Sequence, residues 1–169
     1  MRTGAGAVLA AVAVLIVQPA MARDSLGVFG TWGAFRDPGV PRCYAIAMAD
    51  PAPGPTSARR REFQPYFTVG SWPGRGARGE IHVRLSRRIG AGRAVMLTIG
   101  EQSFVLLPGQ ADAWSQDRRM DAAIIAAMRS ATGMTVTSRA GDGKQVRDVY
   151  RMAGAATAMD AAMLGCAGR

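Results

Sequence analysis

The chain holds one histidine, one lysine and two cysteines in 169 residues, and aromatic side chains make up only 7% of it. A single imidazole, His82, has no second histidine to share a zinc ion and leaves little room for triad chemistry. The longest apolar run, residues 4–17, is shorter than the roughly 20 residues that cross a bilayer as a helix, so no membrane span is expected. There is no internal repeat at solenoid spacing. The glycine-rich stretches at 70–74 and 90–92 lack the spacing of a phosphate loop or a dinucleotide fingerprint. They read as turns, and no cofactor is expected.

What is present begins with an address. Met1-Arg2 is a short positive start, the apolar run follows, Pro19 breaks it, and Ala20-Met21-Ala22 supplies a small-x-small cleavage pattern. Residues 1–22 are therefore expected to be a secretory signal removed near Ala22, leaving 147 residues from Arg23 onward as a single domain. No cysteine follows the site, which excludes a lipoprotein anchor there. The expected location after cleavage is the periplasm, or else the protein is secreted or at the cell surface. The whole chain has 21 basic and 12 acidic residues, a net charge of +9, and loss of Arg2 lowers this to +8. All but Lys144 of the basic residues are arginines, in a chain rich in Ala and Gly, which matches the codon bias of a GC-rich genome. A basic exported surface adheres to anions. The expected partner is thus an anionic envelope component or another protein, and not nucleic acid.

The chain reads as α+β, mostly β, with a compact antiparallel sandwich or barrel-like sheet and two short helices near the C-terminus. Residues 26–32 read as one short strand, and Asp37, Pro38, Gly39 and Pro41 enforce a turn. Residues 43–48 form an apolar run bounded by turn signals. Residues 51–61, with alternate prolines and Arg59-Arg60-Arg61, read as a mobile loop within the domain. A strand over 66–69 ends at Gly70. Residues 80–86 alternate most cleanly, with Ile81, Val83 and Leu85 on one face and Glu80, His82, Arg84 and Ser86 on the other. Residues 94–99 and 103–107 form a hairpin. Asp117 is placed to cap a helix from Arg118, with Gly133 at its C-terminal end. Residues 134–138 and 146–152 pair across Gly141-Asp142-Gly143, whose Asp-Gly suits a primed turn. A last helix over 155–164 delivers Cys166.

Few residues carry candidate chemistry. Cys43 and Cys166 are an even pair in an oxidising compartment, which favours a disulfide; the alternative is two unpaired thiols, one buried and one on a frayed tail. His82 reads as a surface residue in a polar stripe, with neither a metal nor a catalytic role. Ser86 and Ser103 lie outside any sharp nucleophile turn. Trp32, Trp72 and Trp114, with Phe63 and Tyr66, read as core and loop packing, because the outward stripe of residues 80–86 holds no aromatic for a stacking platform. The functional-looking surface is basic. Arg84, Arg88 and Arg93, helped by Arg75 and Arg78, are expected to form an anion-contacting patch, since guanidinium groups match phosphate geometry.

The helical phrase at 120–136, the Gly141-Asp-Gly143 turn and the segment 150–162 together resemble the invasion-associated locus B family. Phe29-Gly-Thr-Trp32 and Cys43-Tyr-Ala-Ile46 resemble its opening region. The resemblance implies an exported envelope protein of Gram-negative bacteria with a compact β-rich fold and no established catalytic residues. The family pattern also has a cysteine soon after the tryptophan and further ones in mid-chain. Here Phe35 and Arg36 occupy that early region and mid-chain cysteines are absent, which strengthens Cys43–Cys166 as the pairing. The function expected is non-enzymatic binding, to anionic envelope or host components. The alternative is a periplasmic hydrolase or modifying enzyme with an unrecognised site.

Overall fold

A computed structural model describes residues 23–37, 39–52 and 61–167. The expected signal sequence, and most of the proline-rich loop with Arg59 and Arg60, lie outside the described residues. Ten strands and two helices follow in order: β1 (Asp24–Phe29), β2 (Trp32–Asp37), β3 (Arg42–Met48), β4 (Tyr66–Trp72), β5 (Ala77–Arg84), β6 (Val95–Ile99), β7 (Gln102–Pro108), β8 (Asp112–Trp114), α1 (Arg118–Met128), β9 (Gly133–Arg139), β10 (Gln145–Arg151) and α2 (Ala155–Gly165). The strands form one sheet in the order β1-β2-β3-β4-β5-β8-β7-β6-β9-β10, with every pairing antiparallel.

This long sheet curls on itself. Tyr150 of β10 packs edge-on against Phe67 of β4 (6.0 Å between centroids), and Phe67 against Trp32 of β2 (6.2 Å). The two ends are stitched by single hydrogen bonds. The Trp32 indole N–H donates to the Arg151 carbonyl (2.9 Å), Thr31 N–H to Ala153 (3.1 Å), and Asp50 N–H to Val149 (2.7 Å). The edge strands β1 and β10 share no ladder, so the sheet is barrel-like in curvature without closing. At the seam, Gly30 and Gly154 both have positive φ, and a Cβ on Gly154 would overlap the Phe29 carbonyl. Only glycine lets the two backbones meet this closely.

The concave face is the dry one. It carries Trp32, Ala34, Ala45, Phe67, Ile81, Val83 and Leu97, and both helices cover it. Helix α2 lies on β1–β4 and buries Ala155, Ala158, Met159 and Ala162, small side chains that permit close approach. Helix α1 begins as the sequence predicts, with Asp117 Oδ1 accepting the Met120 N–H (2.8 Å). The buried Asp121 accepts Ile81 N–H (2.9 Å) and the Ser115 hydroxyl, which fastens α1 to β5. One carboxylate is sealed deeper. Asp148 accepts the Ser86 N–H (3.1 Å) and lies 3.8 Å from Arg61, and burial raises its pKa above the ordinary carboxylate value.

Several sequence expectations change. Residues 26–32 are not one strand but the turn of a β1–β2 hairpin, because Gly30 reverses the chain before Trp32. Gly133 does not cap α1, which ends at Met128; it opens β9 opposite Arg151. The β9–β10 turn is not primed, since Asp142 keeps negative φ and Gly143 alone is positive. Gly143 N–H bonds to Ala140 and Ala140 N–H to Lys144, a common turn followed by a glycine bulge. Ser86 does not face outward: the strand ends at Arg84 and Ser86 turns in towards Asp148. The three-residue β8 carries too short a pattern to be read locally.

Candidate functional site

Strand alternation sends the partners of the buried residues to the convex face, and the register places them in rows. One row reads Ile46, Thr68, His82, Trp114 across β3, β4, β5 and β8. The next reads Tyr44, Gly70, Glu80, and a third Met48, Tyr66, Arg84, Asp112. All of these residues except Arg84 and Asp112 line a groove of about 460 Å³, walled by Tyr44, Tyr66, Trp72 and Trp114 and bordered by Arg23 and Arg42.

Glycine shapes its aromatic walls. A Cβ on Gly70 would come within 2.7 Å of the Trp72 ring, and one on Gly33 within 2.7 Å of the Phe35 ring. Each ring sits two residues along the same strand face and therefore lies down over the bare backbone of its glycine. Phe35 in turn meets Tyr44 (5.8 Å, 31° between planes), and the Arg42 guanidinium sits 4.7 Å above the Tyr44 ring. At the other end His82 is held between Tyr66 (5.7 Å) and Trp114 (5.5 Å). Its Nε2 lies 2.9 Å from Asp112 Oδ1, while Arg84 Nη1 donates to Asp112 Oδ2 (2.6 Å). The carboxylate thus fixes both the imidazole and the guanidinium.

The rings correct the sequence expectation. Trp32 is core, but Trp72, Trp114 and Tyr66 stand on the convex face, with Trp114 38% exposed. The outward stripe of β5 itself holds no aromatic. Its neighbours on β3, β4 and β8 supply them. For Trp72 the Gly70-x-Trp72 spacing is a local signal, whereas Tyr66 and Trp114 carry none.

The model of the family described as "Invasion associated locus B (IalB) protein" matches residues 66–163, more than half of the chain. The chain belongs to that family. Its fold is similar to the crystal structure of invasion associated protein B from Bartonella henselae, with a TM-score of 0.57 and 10% identity, covering 82% of this chain and 95% of that one. No curated protein matches the sequence. At that identity the structural likeness concerns the fold.

The family match runs from the start of β4 into α2, so the cysteines flank it. Cys43 and Cys166 are bonded to each other. Cys43 is fully buried on the concave face of β3, and Cys166 caps the end of α2, so the bond pins the helix to the sheet. The arginines expected to act together are only partly assembled. Arg84 (4.1 Å) and Arg88 (5.8 Å) share the Phe63 ring, and among the described residues Arg88 and Arg93 form no ion pair. Arg87 is held by Glu62 and Asp142. Arg78 is the second residue of β5, about 20 Å along the strand from Arg84 at normal strand rise, and Arg75 lies in the preceding turn. Neither joins the cluster.

Among the described residues no Ser, Thr or Cys side chain hydrogen-bonds the His82 ring. The nearest hydroxyl across the ladder, Thr68 Oγ1, donates to the His82 carbonyl instead (3.2 Å). No group of metal-ligating side chains is found among the described residues, and none of their helices is long and apolar enough to cross a membrane.

Proposed function

We propose that this chain is an exported envelope protein that acts by binding, through the convex face of its sheet, and not by catalysis. The observation that supports this most is the open aromatic groove on the convex face, where Trp72 lies flat over Gly70 and Trp114 is 38% exposed. A site of this kind supplies contact area with little ordering cost, because its rings are already fixed. The His82–Asp112 pair favours the alternative hydrolase reading, yet nucleophilic catalysis needs a hydroxyl or thiol against the base. Here the imidazole has a carboxylate and two rings around it.

Beside the groove, Arg84 and Arg88 on Phe63, with Arg93 nearby in the sequence, are the proposed anion contact. Arg84 is partly neutralised by Asp112, so Arg88 and Arg93 carry most of the available charge. Lipopolysaccharide and heparin columns test this directly at low salt. Retention should fall strongly in an Arg88→Glu/Arg93→Glu variant and with rising ionic strength. Unchanged retention removes the anion contact. N-terminal sequencing of the periplasmic protein should begin at Arg23; an uncleaved chain in the cytoplasm removes the export reading.

A further inference from the structure

We propose that the convex groove is a carbohydrate-binding site, taking a short run of sugar rings laid obliquely across β4 and β5 between Trp72 and Trp114. The inference rests on the convex face being the recognition surface, and it names what is recognised.

The argument starts with what the groove cannot bind through. Its floor is the interior of a sheet, where β3, β4 and β5 have spent their backbone groups on each other. An extended peptide would need a sheet edge to pair with. Recognition must come from ring faces and side-chain polar groups alone. Trp72 lies flat over Gly70 and so turns a face outward, and Trp114 projects from a strand end with its ring partly exposed. An aromatic face is electron-rich and attracts polarised C–H groups. A pyranose ring has such C–H groups on its faces and hydroxyls around its rim.

The polar groups suit that rim. Glu80 stands on the groove floor next to Gly70 in register, and among the described residues it forms no salt bridge or hydrogen bond. It can accept from two vicinal hydroxyls. Arg42, stacked on Tyr44 and 3.6 Å from Asp37, lines the groove from β3 and has further N–H groups to donate. The imidazole of His82 is locked by Asp112 through Nε2, which leaves Nδ1 for a ligand. Carboxylate, guanidinium and imidazole in one groove disfavour a purely apolar ligand, because burying them unpaired is costly.

The span also fits. Trp72 and Trp114 are separated by two strand spacings and about four residues along the strand, roughly 16 Å. That is the length of a short oligosaccharide and not of one ring. Gly70 and Thr68 between them keep the floor low.

The test uses the mature protein on an immobilised glycan array spanning neutral, sialylated, sulfated and bacterial oligosaccharides, followed by titration of the best soluble hit while reading tryptophan emission. The expected result is a set of hits sharing a run of rings. Affinity should fall at least tenfold in Trp72→Ala and in Trp114→Ala, and several-fold in Glu80→Gln, with melting temperatures close to wild type. Arg88→Glu/Arg93→Glu should bind the same glycan as wild type, which separates this site from the anion contact. No hit on the array overturns the proposal, as does glycan binding that survives both tryptophan substitutions. Saturable uptake of an apolar dye or a fluorescent oligonucleotide in the groove, competing with the glycan hit or replacing it, also overturns it. In those cases a binding protein remains and the carbohydrate assignment falls.

Discussion

The two faces of the sheet use the same kind of side chain to opposite ends. On the concave face Trp32, Phe67 and Tyr150 meet edge to face, are fully buried, and are covered by helices. On the convex face Phe35, Trp72 and Trp114 lie low on the strands and stay partly open to solvent, while Tyr44 is packed by Phe35 and Arg42 and is only 6% exposed. Neighbouring residues make the division sharp: Cys43 points inward to its disulfide and Tyr44 points outward to the groove. The difference is one of coverage. A ring between two layers contributes to stability, whereas a ring on one layer, resting on glycine, mainly shapes a surface. If this division is right, concave substitutions lower the melting temperature and convex ones lower binding.

The largest effect belongs to the bond that holds the concave layers together. Cys43 and Cys166 are 123 residues apart, so removing the link in a Cys43→Ala/Cys166→Ala protein should cost about 5 kcal/mol in the chain-entropy picture. Thermal unfolding monitored by circular dichroism should show a drop on the order of 15 °C, matched by reductant on the wild type. A drop of only a degree or two would mean that α2 is secured by its apolar face alone.

Next comes the core itself. Phe67 touches both Trp32 and Tyr150 and is fully buried. Phe67→Ala should cost about 3–5 kcal/mol in urea denaturation, because a cavity opens where the curled sheet meets itself. A loss near 1 kcal/mol would show that the two ends of the sheet separate freely and that the curl is not a packed core.

Much of the concave face was legible in the sequence, and most of the convex face was not. The alternation of Ile81, Val83 and Leu85, the Asp117 cap and the cysteine pair are local or countable signals. They rest on strand period, an orphan N–H and an even thiol number. The groove is different in kind. Its rings come from β3, β4 and β8, and only the register that sets Trp114 opposite His82 brings them together. Register is a long-range property, and the three residues of β8 are too few to announce it. The hairpin at Gly30 was missed because a single glycine between apolar runs also fits a strand interior. Ser86 shows the limit of alternation, since periodicity says nothing of where a strand stops.

The smallest stability effect is the one that decides the comparison. Trp72 is as large as Trp32, and transfer of its surface alone would make Trp72→Ala as costly as a core truncation. Its ring, however, has the sheet beneath it and solvent above, and the site it would leave is a bare glycine backbone and not a void. Side-chain contacts on one sheet face contribute about 0.2–1 kcal/mol, so Trp72→Ala should fall in that range by urea denaturation. Phe67→Ala is its concave counterpart on the same strand, five residues away, which removes strand position as an explanation. A Trp72→Ala loss approaching that of Phe67→Ala would make the convex rings structural and leave the groove without a reason to be aromatic. A small loss of stability joined to a large loss of ligand would instead place these rings in recognition, for only a partner outside the chain would then need them where they are.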